Sequence, residues 1–310
     1  MKMINVAIIG ECMVELQKKE GELKQSFGGD TLNTALYLSR LTKGHDVNTS
    51  YITALGEDSF STEMLQVWQE EGIDTSHVMR IHGKNPGMYY IETDDTGERY
   101  FHYWRNEAAA KFMFEQPESK ALIDALFGFD AVYLSGITLA ILTPVGRETL
   151  INFLSQYKER GGQVFFDNNY RPKLWVDQAE AIEWYSKMLS LTDTALLTFE
   201  DEQALYGDEH LEECIKRTSE AGVKEIIIKR GAQDCLVVEG EEANYVAPKP
   251  VSNVVDTTAA GDSFSAGFLA KRLTGGNAQE SAFNGHCMAG QVIQHKGAII
   301  PRDVMPDLPL

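Results

Sequence analysis

The chain has 310 residues, 43% of them hydrophobic and 24% charged, with a formal net charge of −18. That size and composition suit one large α/β domain with insertions or two ordinary domains. The charge argues against nucleic acid and anionic membranes as partners, and no apolar run approaches the roughly 18 residues of a membrane span.

The first predicted element is a buried strand over 5–10 (NVAIIG). The opening MKMINVAIIGECMVEL has the charge and short apolar run of a signal peptide. Glu11 and Glu15, however, stand where a cleavage region is small and neutral. Four widely spaced cysteines with no C-x-x-C argue against a zinc site or a disulfide framework and fit a reducing compartment. The expectation is a cytoplasmic protein.

Next comes FGGDTLNTALYLSRL (27–41), where Gly28 and Gly29 precede a helix. Asp30 and Asn33, three apart, share one face of it and offer the acceptors and donors that sugar hydroxyls need. Asp30 as a simple helix cap is the competing reading. Residues 87–104 (GMYYIETDDTGERYFHYW) read as a hairpin about the turn Asp94-Asp95-Thr96-Gly97. With further strands from about 12–27 it forms a small sheet, a flap able to close a site and exclude water. At its end, Arg105 beside Tyr103 suits a carboxylate, which a guanidinium binds bidentately. Aromatic packing with an exposed arginine explains the same residues.

Apolar runs follow at 130–136, 163–169, 194–199 and 225–231, with amphipathic stretches at 143–160, 177–190 and 209–221 between them. Such alternation predicts an α/β fold with a mostly parallel sheet covered by helices on both faces. In FFDNNYRPKLW (165–175), Asn169 and Arg171 follow a strand, at the sheet end where open α/β folds bind ligands. Arg171 there neutralises phosphate or makes an ordinary surface pair.

Residues 254–264 (VVDTTAAGDSF) open a helix that stops near Gly275-Gly276. Small residues at Ala259, Ala260 and Gly261 let an anion approach free N–H groups, and Asp262 in the first turn stands ready to accept a proton. The alternative is a capped helix, with Thr257 or Thr258 as the cap. G-x-x-x-x-G-K-[ST], H-R-D and H-E-x-x-H are all absent, and the histidines show no metal-ligand spacing.

Together these pieces resemble the PfkB, or ribokinase-like, family of carbohydrate kinases over nearly the whole chain. Gly28-Gly29-Asp30-Thr31-Leu32-Asn33 is similar to its N-terminal Gly-Gly…Asn element, and Asp256-Thr257-Thr258-Ala259-Ala260-Gly261-Asp262 to its C-terminal D-T-x-G-A-G-D signature. More narrowly, GECMVEL, YLSGITLAIL and FDNNYRPKLW are similar to the branch acting on 2-keto-3-deoxygluconate.

The resemblance implies a single ribokinase-like domain over 1–310: a three-layer α/β/α sandwich whose lid comes from about 12–27 and 87–104. It implies phosphorylation of a small sugar acid by ATP with Mg2+, and a monovalent cation near the anion-hole loop. Asp262 would be the base, with the amides of Ala259, Ala260 and Gly261 as the anion hole. Gly29, Asp30, Asn33, Tyr90, Tyr103 and Arg105 would hold the sugar acid. Asn169, Arg171, Lys229, Gly231 and Asn284 would serve ATP. Homo-oligomers through the lid sheet are expected, since a two-sided aromatic sheet wants a covering partner.

Two departures stand out. Ala259 replaces a signature glycine. The N-x-x-E motif falls on Thr198-Phe199-Glu200-Asp201 with neither end matching, and Glu202 is the substitute by a one-residue shift. Metal residues are therefore unassigned. Two further readings are a kinase for a neutral ketose such as fructose and a non-catalytic sugar or nucleotide sensor.

Overall fold

The computed structural model describes residues 2–19, 21–93 and 99–310. Its strands in chain order are β1 Ile4–Ile9, β2 Met13–Lys19, β3 Glu22–Gly28, β4 Val47–Ile52, β5 Ala54–Leu55, β6 Met79–Arg80, β7 Gly87–Thr93, β8 Arg99–Trp104, β9 Ala131–Ser135, β10 Gln163–Asp167, β11 Thr194–Thr198, β12 Glu225–Lys229, β13 Cys235–Glu239 and β14 Glu242–Val246. The α-helices are α1 Asp30–Leu41, α2 Ser59–Glu70, α3 Ser119–Leu126, α4 Gly136–Ile141, α5 Pro144–Glu159, α6 Gln178–Leu189, α7 Phe199–Tyr206, α8 Leu211–Glu220, α9 Ala260–Leu273 and α10 Ala278–Val292.

Eight strands form the main sheet in the order β14-β13-β12-β11-β10-β9-β1-β4. All neighbours are parallel except the β12–β13 and β13–β14 pairs. Continuous apolar runs such as Ile226-Ile227-Ile228 build such strands because both faces are covered. Alternation then sorts the side chains. Ile9, Leu134, Phe166 and Ile228 face the core under α3 to α8, while Ile8, Tyr133, Phe165 and Ile227 face the core under α1, α2, α9 and α10. Each fully buried aliphatic or aromatic side chain contributes about 1.5–3 kcal/mol to that sandwich. The three-layer architecture expected from the sequence is what the chain adopts.

A second, smaller sheet has the order β3-β2-β7-β8, so both segments expected in it are there. The turn at Asp94-Asp95-Thr96-Gly97 lies outside the described residues. Among the described residues no helix is long and apolar enough to cross a membrane. The predicted strands over 163–169 and 225–231 stop earlier, at Asp167 and Lys229, which leaves Asn169 and Gly231 in the loops beyond them.

β1 runs on to β4 on one side of the sheet, whereas its other neighbour β9 runs on to β10 on the opposite side. At such a reversal the loops at the carboxyl ends of the strands diverge and open a crevice.

Candidate active site

A cavity of about 470 Å³ lies in that crevice, roofed by Tyr89, Phe101 and Tyr103 of the small sheet. Helices α1, α7 and α9 point their N-terminal residues into it through Asp30, Asp201 and Gly261. None of these three has a side-chain N-cap. By contrast α2, α4, α5, α6 and α10 are capped by Asp58, Ser135, Thr143, Asp177 and Asn277, and α3, away from the cavity, shares the lack of a side-chain cap. Uncapped first turns carry orphan N–H groups and the positive end of the helix dipole, so their convergence offsets part of the carboxylate charge on the cavity and favours an anion there.

The α9 start differs from both readings of the sequence in one respect. Its N-cap is Ala259 in the left-handed region, φ 61° and ψ 18°, and neither Thr257 nor Thr258 caps it. Thr258 instead turns back on Asp256, donating both its N–H and its hydroxyl to Oδ1. Ala260 N–H donates to Thr257 O at 3.1 Å. The amides of Gly261 and Asp262 find no acceptor among the described residues. A side chain at Gly261 would come within 3.7 Å of Lys229 Nζ. Asn169 is the other non-glycine residue with positive φ, at 27°, among the described residues. Each such residue costs about 1–3 kcal/mol, and both line the cavity.

Asp262 is half-buried in the first turn of α9 and accepts a hydrogen bond from Asn33 Nδ2 at 2.8 Å. Burial first, and then the neighbouring Asp30 carboxylate, push its carboxyl up to about 8. The Asn33 hydrogen bond and the Lys229 charge pull the other way. Asp30 is itself raised by burial, although Asn169 Nδ2 donates to its Oδ2 at 2.7 Å. A third carboxylate, Asp167 at the end of β10, is held by Lys229 Nζ at 2.9 Å and Ser265 Oγ at 2.7 Å. A carboxyl poised near neutrality beside free amides can take a proton from a hydroxyl while the amides hold an anion.

Gly29, Asp30, Asn33, Tyr103, Asn169, Arg171, Lys229 and Ala259 to Asp262 all line this one cavity. Gly29 is required for close approach, since a Cβ there would lie 2.2 Å from Glu11 O. The other four predicted residues sit elsewhere. Tyr90 stacks against His102 on the opposite face of the small sheet, because adjacent residues on a strand point opposite ways; Tyr89 is the lining tyrosine. Gly231 follows β12 in a left-handed turn. Asn284 is buried on α10 and donates to Pro309 O at 3.1 Å. Arg105 pairs with buried Glu11, and its Nε has no partner among the described residues.

The shift from Asp201 to Glu202 fails on geometry. Asp201 lines the cavity, salt-bridged to Arg171 at 3.4 Å, and burial raises its carboxyl. Glu202, 1% exposed, points into the core and pairs with Arg217 at 2.6 Å. Asp167 and Tyr89 were missed among the lining residues, and Asp201 was named only as the non-matching end of the N-x-x-E alignment. An acid ending the apolar run QVFFD was the available signal for Asp167. For Tyr89 the hairpin register was needed.

A profile of the pfkB family of carbohydrate kinases matches residues 3–305. The chain belongs to that family. It is 53% identical over 304 residues to the 2-dehydro-3-deoxygluconokinase of Escherichia coli K12, covering 97% of this chain and 98% of the relative. The Haemophilus influenzae enzyme of the same name is 44% identical over 303 residues, covering 97% and 96%. Among solved structures, a fructokinase of Xylella fastidiosa with bound ATP superposes with a TM-score of 0.80 at 20% identity, covering 97% of this chain and 95% of that one. The kinase class expected from the sequence is borne out by this membership.

Proposed function

We propose that this pfkB-family protein transfers the terminal phosphoryl group of ATP to the C6 hydroxyl of 2-keto-3-deoxy-D-gluconate, giving the 6-phosphate. The observation that carries the reading is Asp262, a carboxyl raised to about 8 within an uncapped first turn. The names of the relatives at 53% and 44% identity support the substrate.

In this reading Asp262 accepts the C6 hydroxyl proton while the hydroxyl oxygen bonds to the γ-phosphorus. The bond from that phosphorus to the β,γ-bridging oxygen breaks, and ADP leaves with the electron pair. The amides of Ala259, Ala260 and Gly261 stabilise the charge on the transferring group, the Ala260 N–H turning away from Thr257 O to do so. Gly29, Asp30, Asn33 and Tyr103 hold the sugar. Asn33 Oδ1, buried and without a partner among the described residues, is the acceptor left for a hydroxyl. Asn169, Arg171 and Lys229 face the phosphates, with Gly231 and Asn284 farther along the nucleotide side. Asp167 and Asp201 are the hard oxygen donors on the cavity that suit Mg2+, which when bound neutralises phosphate charge. ATP as donor sets the reaction in the cytoplasm, in keeping with four free cysteines.

One observation favours a second reading, a neutral ketose as substrate: Arg105, the cation meant for the carboxylate, is already paired with Glu11. Turnover of 2-keto-3-deoxygluconate, fructose and ribose with Mg-ATP, followed by ADP release, separates the two. The acid is expected to exceed both neutral sugars by at least about 100-fold in kcat/KM, since a bidentate charge pair supplies several kcal/mol. A preference for fructose would overturn the acid assignment.

A further inference from the structure

Asn168 joins three parts of the fold through one side chain. Its Oδ1 accepts from Asn169 N–H at 2.8 Å and from Thr198 N–H at 2.9 Å. Its Nδ2 donates to Thr198 O at 3.0 Å and to Glu202 Oε1 at 2.9 Å. The Tyr185 hydroxyl donates to the Asn168 backbone carbonyl at 2.5 Å. Asn168 is fully buried and Glu202 nearly so. Glu202 is in turn held by Arg217, which grips Asp208 with both terminal nitrogens. The residue fixed by this network is Asn169, whose left-handed φ of 27° is sparsely populated and needs such support. In that conformation the Asn169 side chain reaches Asp30, 139 positions away in sequence, at 2.7 Å.

We propose that Asn168 and Glu202 are positioning residues for phosphoryl transfer: they clamp Asn169 in its left-handed conformation and through it hold Asp30 in place beside Asp262. Neither touches the cavity, so neither is catalytic. The clamp ties the loop after β10 to the start of α7, and so joins the phosphate side of the cavity to its sugar side. The inference rests on the cavity being a phosphotransfer site, and not on which sugar is used.

The test is a double-mutant cycle of Glu202→Leu and Asn169→Ala, read as kcat/KM on whichever sugar the wild type turns over best. Leucine fills the space but cannot accept from Asn168, and Arg217 keeps Asp208. Glu202→Leu is expected to lower kcat/KM about 10-fold or more alone, but by less than about 3-fold in the Asn169→Ala background, because both act through one contact. Glu202→Gln, whose amide oxygen still accepts, is expected to recover most of the loss. Full additivity overturns the proposal, as does a Glu202→Gln as poor as Glu202→Leu. If Glu202→Leu does not fold, Asn168→Ser breaks the same bridge and enters the same cycle. Hydrogen exchange of the 169–171 amides, measured without substrate, is expected to quicken in either variant; an unchanged rate defeats the clamp. Wild-type inactivity on every sugar would defeat the functional reading and with it the link to phosphoryl transfer, whereas the exchange rates alone then decide whether the clamp exists.

Discussion

Asn33 Nδ2 donates to Asp262 Oδ2 at 2.8 Å, joining the first turn of α1 to the first turn of α9 across 229 residues of sequence. The bond fixes the proposed base at the crossing of two uncapped helix starts and favours its ionised form. It therefore fixes where the proton goes, and it opposes the burial and the Asp30 charge that raise the carboxyl.

Asp262→Asn keeps the shape and removes the base. We expect kcat to fall by about 10³-fold, within the usual range for general-base loss, measured by ADP release. Stability should move the other way. The folded carboxyl titrates near 8 against an unfolded value of about 3.9, so the folded state binds the extra proton and stability falls as pH rises through that window. The amide of the variant cannot ionise, so its Tm should exceed that of the wild type at pH 8 and match it more closely at pH 5.

The pH profile of the wild type carries its own check. Ionised Asp262 is the active form, so kcat/KM should drop as pH falls below about 8. Asn33→Ala removes a bond that favours the carboxylate, and the acid limb should then move to higher pH. An inflection that stays put in Asn33→Ala belongs to a different group.

Ala259 sits at φ 61°, where a Cβ is strained and glycine is not. Ala259→Gly is expected to stabilise the fold by about 0.5–1 kcal/mol with kcat little changed, while the β-branched Ala259→Val should lose both stability and activity. Thermal melts and steady-state rates on the pair decide it.

Arg105→Leu alone is a poor probe, because it strands buried Glu11. Losing one partner of a buried ion pair typically costs about 3–5 kcal/mol. Arg105→Leu with Glu11→Gln removes both charges, and should restore much of the Tm lost by the single variant. If Arg105 serves the carboxylate, kcat/KM for the sugar acid stays at least about 100-fold down in the double variant while stability recovers. Activity that returns together with Tm shows the arginine to be structural.

The small sheet exposes aromatic residues on both faces, Tyr103 and Phe101 on one, Trp104 and Tyr100 on the other. We expect a homo-oligomer through it. Sedimentation should show Trp104→Glu shifted toward the monomer relative to the wild type; a wild type that is already monomeric at micromolar concentration rules the interface out.

The sandwich was legible because buried parallel strands read as unbroken apolar runs: Ile226-Ile227-Ile228 has few other uses. The two glycine-led motifs were legible because they couple small residues to acids at helix starts. Side-chain direction was harder. Tyr89 and Tyr90 differ only in strand register, and a one-residue slip exchanges the faces. Asp201 and Glu202 differ likewise by one step about a helix, and the tertiary contacts of Glu202 with Arg217 and Asn168 show which points inward. The Glu11–Arg105 pair closes over 94 residues, a distance at which sequence pattern says nothing.

The uncapped starts of α1, α7 and α9 also bear on how charged substrates arrive. A net charge of −18 repels ATP and a sugar acid at long range, whereas the orphan amides attract them only within a turn or so of the helix ends. Salt at about 0.15 M cuts the range of the repulsion to roughly 8 Å and leaves the short-range attraction mostly intact. Capture of both anions should therefore quicken with modest ionic strength, the reverse of the usual behaviour when oppositely charged partners steer each other together.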